Sequence, residues 1–331
     1  MSNTKQILAM LKSRTVGDDE QFYSIVLQIA AAEARKGHRT VAEELRAAVD
    51  NARSMVSRGA SVAIPFSQPR GELETLIDLH EPKLRLKDVI LHSSIQSQIK
   101  DLIRQQTKRE WLREHDKTPN RCVLFLGPPG AGKTMTAEAL AGELNLPLFV
   151  IRLESLITRF MGETASKLRL VFEETLKRRG VYLFDEFDAI GARRSATNDV
   201  AEMRRVLNSF LQLMEQPNAT DSVLVGATNH PELLDRALLR RFDLVLEFEM
   251  PSDEQIKALV TKYIRPLKYS RLGWKSIIKA AQGLSQSEIA RASEDAVKTA
   301  ILDERSTIST NDVLQRLNDR SRMRAAFLKL E

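Results

Sequence analysis

The chain has 331 residues, 43% hydrophobic and 28% charged, which suits two or three packed domains and excludes a disordered chain. Its net charge of +6 gathers on the two flanks around a near-neutral centre, a modest excess that an ordinary solvated surface explains. No apolar run approaches the roughly 18–20 residues that span a bilayer. The first residues, "MSNTKQILAMLKSR", lack a signal peptide's order, and the single cysteine, Cys122, excludes an internal disulfide framework, so a reducing cytoplasmic location is expected.

In chain order, residues 1–58 read as a small all-α N-terminal domain. A short helix is expected over 3–13 and a longer one over 21–35. "Thr40-Val-Ala-Glu43" has the form of a capping box. Behind it Val41, Leu45, Ala48, Ala52 and Val56 recur at helical spacing. Gly, Pro and Ser in "RGASVAIPFSQPRGE", 58–72, mark a linker, drawn here over 59–83. From residue 84 the pattern changes. "CVLFL" (122–126), "LFVIRL" (148–153), "VYLFDE" (181–186), "SVLVGATN" (222–229) and "DLVLEFEM" (243–250) are short apolar runs. Each is too short for a helix and rich in strand-forming residues. Helical stretches such as 133–144 and 164–178 alternate with them. That alternation predicts an α/β fold, a parallel sheet with helices on both faces, over 84–250. After Pro251 the apolar runs stop, and helices are expected over 251–331.

"GPPGAGKT", 127–134, fits the phosphate-loop pattern G-x-x-x-x-G-K-[ST] in full, between an expected strand and an expected helix. Gly127, Gly130 and Gly132 let backbone N–H groups close around phosphate oxygens, with Pro128, Pro129 and Ala131 completing the loop. The N-terminus of the following helix, including Met135, turns N–H groups and partial positive charge toward the anion. Lys133 reaches the β- and γ-phosphates, and Thr134 offers its hydroxyl to Mg²⁺. The chain thus reads as a P-loop NTPase, with ATP and Mg²⁺ as the expected ligands.

About 50 residues on, an apolar strand ends in Asp185 and Glu186. Asp185 is placed to hold the Mg²⁺ shell, and Glu186 to orient and deprotonate a water for attack on the γ-phosphate. Asp188 fits a structural cap or pair better. Asn229 ends another apolar strand, where its amide can polarise the same water or contact the γ-phosphate; its plain alternative is a turn residue before His230-Pro231. Arg240 and Arg241 follow a helix-like "LLDRALL". A guanidinium there can neutralise transition-state charge on phosphate, and the plain alternative is a cation at a helix C-terminus.

"TRFMGE", 158–163, is neither an alternating strand nor a good helix, because Gly162 weakens a helix interior. It reads as a loop that presents two large apolar side chains, Phe160 and Met161. Such a pair either serves a partner or becomes buried as a loop anchor.

Together, "GPPGAGKT", "LFDEFD" and "GATNHPELLDRALLRRFD" resemble the AAA ATPases of the AAA+ superfamily, over roughly 84–331. The resemblance implies an ATPase with an α/β large domain, a helical lid, and assembly into a ring, usually a hexamer. ATP would then sit between subunits, and Arg240 and Arg241 would act on a neighbour's nucleotide. The Arg-Arg-Phe ending lacks the Pro-Gly of many members and looks more like the spastin and katanin type, which leaves open which arginine is the principal finger. "GLSQSEIARASEDAVKTAI", 283–301, is similar to the family's G-[YF]-S-G-A-D-I segment, with Leu284 and Ser287 as departures. No direct sensor arginine is expected there, although Arg291 lies one turn on. On the adenine side the chain has Asp88-Val89-Ile90-Leu91, where the family often has Asp-Val/Ile-Gly-Gly; backbone contacts from Val89 to adenine survive that change.

The same resemblance gives "TRFMGE" a role. Phe160-Met161-Gly162 matches the aromatic, hydrophobic and glycine triplet with which threading members grip an extended polypeptide in the central pore. A second pore-facing loop is drawn at 192–202, and Arg204 and Arg205 either contact the neighbour's site or line the ring interface. The expected function is therefore remodelling, unfolding or translocation of a protein substrate, with the N-terminal helices choosing substrate or partner. The layout is also similar to stand-alone bacterial AAA ATPases that serve a separately encoded effector, such as a subtilisin-like protease, in defence or plasmid maintenance. No H-E-x-x-H or G-x-S-x-G motif supplies a protease here. The alternative is a DNA-dependent ATPase, such as a helicase loader or transposition helper. The basic flanks favour it, while the 5% aromatic content and the absence of a zinc module weigh against nucleic acid.

Overall fold

The computed structural model describes residues 71–156, 161–187, 208–216, 218, 220–234, 239–269 and 271–327, together with 25–30, 38, 41, 43 and 49. The chain divides into two compact units, Met1–Phe66 and Ser67–Glu331. In the first unit residues 25–30 are helical and bury Val26 and Ala30; Val41, Glu43 and the buried Val49 are helical too. Thr40 and the helix expected over 3–13 lie outside the described residues.

The second unit is built on a six-stranded sheet. Its strands are β1 (Ile77–His80), β2 (Cys122–Leu126), β3 (Leu148–Ile151), β4 (Val181–Phe184), β5 (Val223–Thr228) and β6 (Leu244–Glu247). They lie side by side in the order β1-β3-β4-β5-β2-β6. All neighbours are parallel except β1, which runs antiparallel to β3 with Ile77 opposite Ile151. The central strands are apolar throughout because both faces are covered. Alternation along β2 sends Cys122 and Leu124 to one face, with Phe149, Phe184 and Leu224. Val123 and Phe125 go to the other, with Leu183, Val225 and Leu246.

Helices complete both layers. On the first face lies α6 (Met161–Lys177), through Leu168, Val171 and Phe172. On the second lie α2 (Ser93–Thr107), through Ile95, Ile99 and Leu102, and α4 (Lys133–Leu144), through Ala137, Leu140 and Ala141. Small residues let α4 sit close to the sheet, and Asn145 ends it in the left-handed conformation. Shorter helices are α1 (Leu73–Leu76), α3 (Arg109–Glu114) and α5 (Leu153–Leu156).

Beyond Pro251 come α7 (Asp253–Ile264), α8 (Trp274–Ala281), α9 (Gln286–Leu302) and α10 (Thr310–Phe327). They share a separate core that includes Leu259, Ile277, Ile289, Ala296, Val313 and Leu317. Capping boxes start two of them, Ser252 with Gln255 on α7 and Ser285 with Glu288 on α9. Among the described residues no helix is long and apolar enough to cross a membrane.

Three expectations differ from the structure. Residues 73–80, drawn within the linker, form α1 and the edge strand β1. An edge strand is covered on one side only, and "IDLH" buries Ile77 while exposing His80, so it has no continuous apolar run. The sheet is accordingly mixed rather than wholly parallel. Met161 and Gly162, read as loop, open α6, which was expected to begin near Thr164. Gly162 costs a helix only about 0.5–1 kcal/mol, and fifteen further residues carry α6 past it. Phe160, the segment 192–202, Asp188, Arg204 and Arg205 lie outside the described residues.

Candidate functional site: a cleft at the carboxyl ends of β4, β5 and β2

The strand order decides what can meet. Because β4, β5 and β2 are adjacent and parallel, the residues just past their carboxyl ends converge, the usual place for a ligand in such a sheet. They are Asp185 and Glu186 after β4, Asn229 after β5, and the loop 127–132 after β2.

The loop needs its glycines for space as well as rotation. Gly127 has φ +142° and Gly130 φ +74°. A Cβ on Gly127 would run into the Phe248 carbonyl, and one on Gly130 into the hydroxyls of Ser287 and Ser285. The loop feeds α4, whose first residue is Lys133. Lys133 is only 6% exposed, a burial that an ammonium tolerates when it is well paired. Its Nζ donates to the carbonyls of Gly127 (2.6 Å) and Pro128 (2.9 Å) and to Asn229 Oδ1 (2.7 Å). These neutral oxygens hold the ammonium where anionic oxygens would bind it more strongly.

Next to it, Thr134 Oγ1 donates to Asp185 Oδ2 at 2.8 Å. Asp185 Oδ1 accepts from the Glu186 amide at 3.0 Å. Glu186 is exposed and holds φ +51°, a left-handed conformation that costs a residue with a Cβ roughly 1–2 kcal/mol. The strain is imposed from both sides. Asp185 is tied to Thr134, while the next residue, the fully buried Phe187, donates its amide to Ala227 O at 2.8 Å and packs on Phe210 and Phe242. The turn thus stands the Glu186 side chain clear of the core at the mouth of the cleft, a kind of strain that persists where the surroundings over-determine it.

The opposite wall comes from the helices beyond Pro251. The cleft encloses ≈ 300 Å³, at the small end of the range for ligand pockets. Its far end is lined by Asp88, Val89 and Ile90 on one side and by Leu259, Lys262 and Tyr263 of α7 on the other. Lys262 Nζ donates to the Asp88 carbonyl and lies 5.4 Å from the Tyr263 ring centre. Burial, with the Glu294 carboxylate as a smaller contribution, pushes the Tyr263 phenol above its usual value, so it stays neutral. Gln286, Ser287 and Ala290 of α9 close the wall.

Of the residues singled out in the sequence, Val89, Pro129, Gly130, Gly132, Lys133, Thr134, Met135, Asp185, Glu186, Asn229 and Ser287 line this cleft. Gly127, Pro128 and Ala131 shape the loop without lining it. Arg240 and Arg241 are exposed and not among its lining residues; Arg241 forms an ion pair with Glu215. Arg291 is exposed and also lies off the lining. The sequence reading missed Lys262, Tyr263, Gln286 and Ala290. Gln286 and Ala290 fell within the family-like segment 283–301 without a role of their own, while Lys262 and Tyr263 showed only as positions on an amphipathic helix, where inward-facing residues read simply as core.

Residues 123–250 match the family described as "ATPase family associated with various cellular activities (AAA)". An AAA family ATPase of Sinorhizobium fredii, y4kL, is 32% identical over 323 residues, 95% of this chain and 94% of the relative. The chain belongs to the AAA ATPase family. A putative 26S proteasome regulatory subunit homolog of Methanothermobacter thermautotrophicus is 36% identical over 60% of the chain, and the chain spans 55% of its length. The ATP-dependent zinc metalloprotease FtsH of Acidothermus cellulolyticus is 32% identical over 70% of the chain, which spans 36% of that protein. As an AAA ATPase the chain hydrolyses ATP. Its mixed sheet with helices on both faces is the α/β P-loop NTPase fold expected of the family.

Proposed function

We propose that the cleft binds and hydrolyses Mg²⁺-ATP and that the chain couples this to remodelling a protein. The observation that carries the reading is the convergence of Lys133, Thr134, Asp185 and Asn229 through bonds of 2.7 and 2.8 Å at three adjacent strand ends. The triphosphate lies along residues 127–135. Lys133 exchanges its carbonyl and amide partners for the β- and γ-phosphates, a stronger charge-assisted contact. Thr134 and Asp185 fit Mg²⁺, since a hydroxyl and a carboxylate oxygen already stand side by side, and that ion needs only one or two protein oxygens beyond phosphate and water. When bound, Mg²⁺ neutralises charge on the β- and γ-phosphates. Glu186 orients the attacking water and takes its proton. Asn229, released by Lys133 when the phosphates bind, turns its amide to the γ-phosphate or to the attacking water. Backbone at Val89 meets the base. Arg240 and Arg241, exposed and off this cleft, act on a neighbouring subunit's nucleotide in a ring, a hexamer as is usual in the family.

The load in this reading is polypeptide, gripped by Phe160, Met161 and Gly162. Support comes from relatives named for proteasome regulation and for ATP-dependent proteolysis. A separately encoded effector, such as a subtilisin-like protease, serves as the partner in the cytoplasm. The decisive experiment is Glu186→Gln. It should keep Mg²⁺-ATP binding and lose turnover by about 10²–10⁴-fold, and mass spectrometry of what it retains identifies the load. Turnover near the parent rate removes Glu186 from the base role; retained DNA with no protein overturns the remodelling reading.

A further inference from the structure

The positive charge beyond Pro251 is gathered in one stretch. Between Glu254 and Glu288 the chain has seven Lys/Arg and no Asp/Glu, although the whole chain carries 50 against 44. Lys262 lines the cleft. The other six, Lys257, Arg265, Lys268, Arg271, Lys275 and Lys279, are exposed, and none makes an ion pair among the described residues. Further along, Arg305, Arg316, Arg320 and Arg324 each lie within 4.0 Å of a carboxylate oxygen. α8 carries the excess outward. Its buried residues are Ile277 and Ala281, so Lys275 and Lys279, each two positions earlier, share the opposite side. A like-charged pair one turn apart and a cation in a helix's first turn both work against the helix. An ordinary solvated surface mixes its signs, and this one does not.

We propose that this face, Lys268 and Arg271 before α8 with Lys275 and Lys279 on it, docks an acidic, extended segment of a partner polypeptide. Charge complementarity sets the sign of the partner. The spacing suits a strand-like segment. Lys275 and Lys279 stand about 5–6 Å apart at Cβ, and alternate side chains on one side of an extended chain recur about every 7 Å. Nucleic acid suits the face less well. Three of the four cations are Lys, a point charge on a flexible stem, rather than the Arg fork that matches phosphate. Tyr269, 39% exposed, is the one exposed aromatic of the stretch, too little for a platform on which bases stack. None of these residues lines the cleft, so failure here leaves the nucleotide reading standing.

The test is fluorescence anisotropy of the full chain with a labelled poly-glutamate peptide and, separately, a labelled oligo-dT of matched charge, each at low and at physiological salt. The parent should bind poly-glutamate at low salt and more weakly as salt screens the charges. Lys275→Gln with Lys279→Gln should weaken that binding by about 10-fold, as for two exposed ion pairs at low salt. Its ATP turnover should equal the parent's. Its thermal midpoint should match or exceed the parent's, because the repulsion within α8 is gone. Lys108→Gln with Lys117→Gln removes as much charge from exposed residues before β2 and should bind poly-glutamate like the parent. A parent that does not bind poly-glutamate at low salt, or equal losses in the two double variants, overturns the proposal. So does a lowered midpoint in the α8 variant, which would give the lysines to the fold. Tighter binding of oligo-dT than of poly-glutamate also overturns it and assigns the face to nucleic acid.

Discussion

The two walls of the cleft are made in different ways. The wall at the phosphate loop is built of backbone at the ends of buried parallel strands, and its charged groups, Lys133 and Asp185, are each held by named partners at 2.6–2.9 Å. The wall from α7 and α9 is built of side chains on helices with their own core. One wall fixes positions by hydrogen bonding and steric fit, and the other by helix packing. Substitutions in the first should therefore act on chemistry or create strain, and those in the second should act on affinity and stability.

The sharpest break falls on the first wall. Lys133→Ala removes the cation held by Gly127, Pro128 and Asn229. ATP turnover, followed as phosphate release, should fall by on the order of 10²–10³, with little change in the thermal midpoint. A large loss of stability instead would mean that Lys133 chiefly holds the loop together.

Gly130→Ala tests the place where the walls touch. The new Cβ meets the hydroxyls of Ser287 and Ser285, and φ +74° strains any residue that carries one. Urea unfolding should show a loss of about 1–3 kcal/mol. Adding Ser287→Ala should restore part of it, because the closer clash goes while that with Ser285 and the strain stay; strict additivity would show that residues 130 and 287 do not meet.

A smaller effect has the opposite sign. Glu186→Gly relieves the left-handed strain at φ +51°, so stability should rise by about 1 kcal/mol while phosphate release is abolished. A destabilised variant would locate the strain elsewhere.

This contrast also governs what could be read from the amino acids. The loop 127–134 was legible because its chemistry needs fixed residue types at fixed spacing. Central strands such as 122–126 were legible because burial on both faces leaves an unbroken apolar run. β1 was not, since an edge strand needs only half that pattern. Gln286 and Lys262 were not, because helical periodicity separates inside from outside but does not tell a core from a cleft. The φ of Glu186 left no local trace, for it is imposed by Thr134 on one side and by the burial of Phe187 on the other. Arg240 and Arg241 were found as motif residues, yet their place off this cleft depends on the tertiary fold.

The smallest effect belongs wholly to the second wall's scaffold. Asp312, in the first turn of α10, accepts from Arg305 Nη1 at 2.9 Å and from the Ser309 amide and hydroxyl at 2.8 and 2.7 Å. Chiefly the Arg305 guanidinium, against the opposing effect of burial and with help from Ser309, holds the carboxyl down at about 2. A carboxyl lowered on folding stabilises only while it is ionised. Its contribution is complete above the ordinary value of 3.8 and is lost as pH falls through that range toward 2. Because the pair is partly solvated, Asp312→Asn should cost about 1 kcal/mol or less at pH 7. The gap between variant and parent in urea unfolding should narrow steadily below pH 4. A gap that does not change with pH would assign the effect to the helix cap's geometry rather than to charge. Mg²⁺-ADP affinity at pH 7 should be the same in both proteins, since Asp312 belongs to the helical scaffold and not to the lining of the cleft.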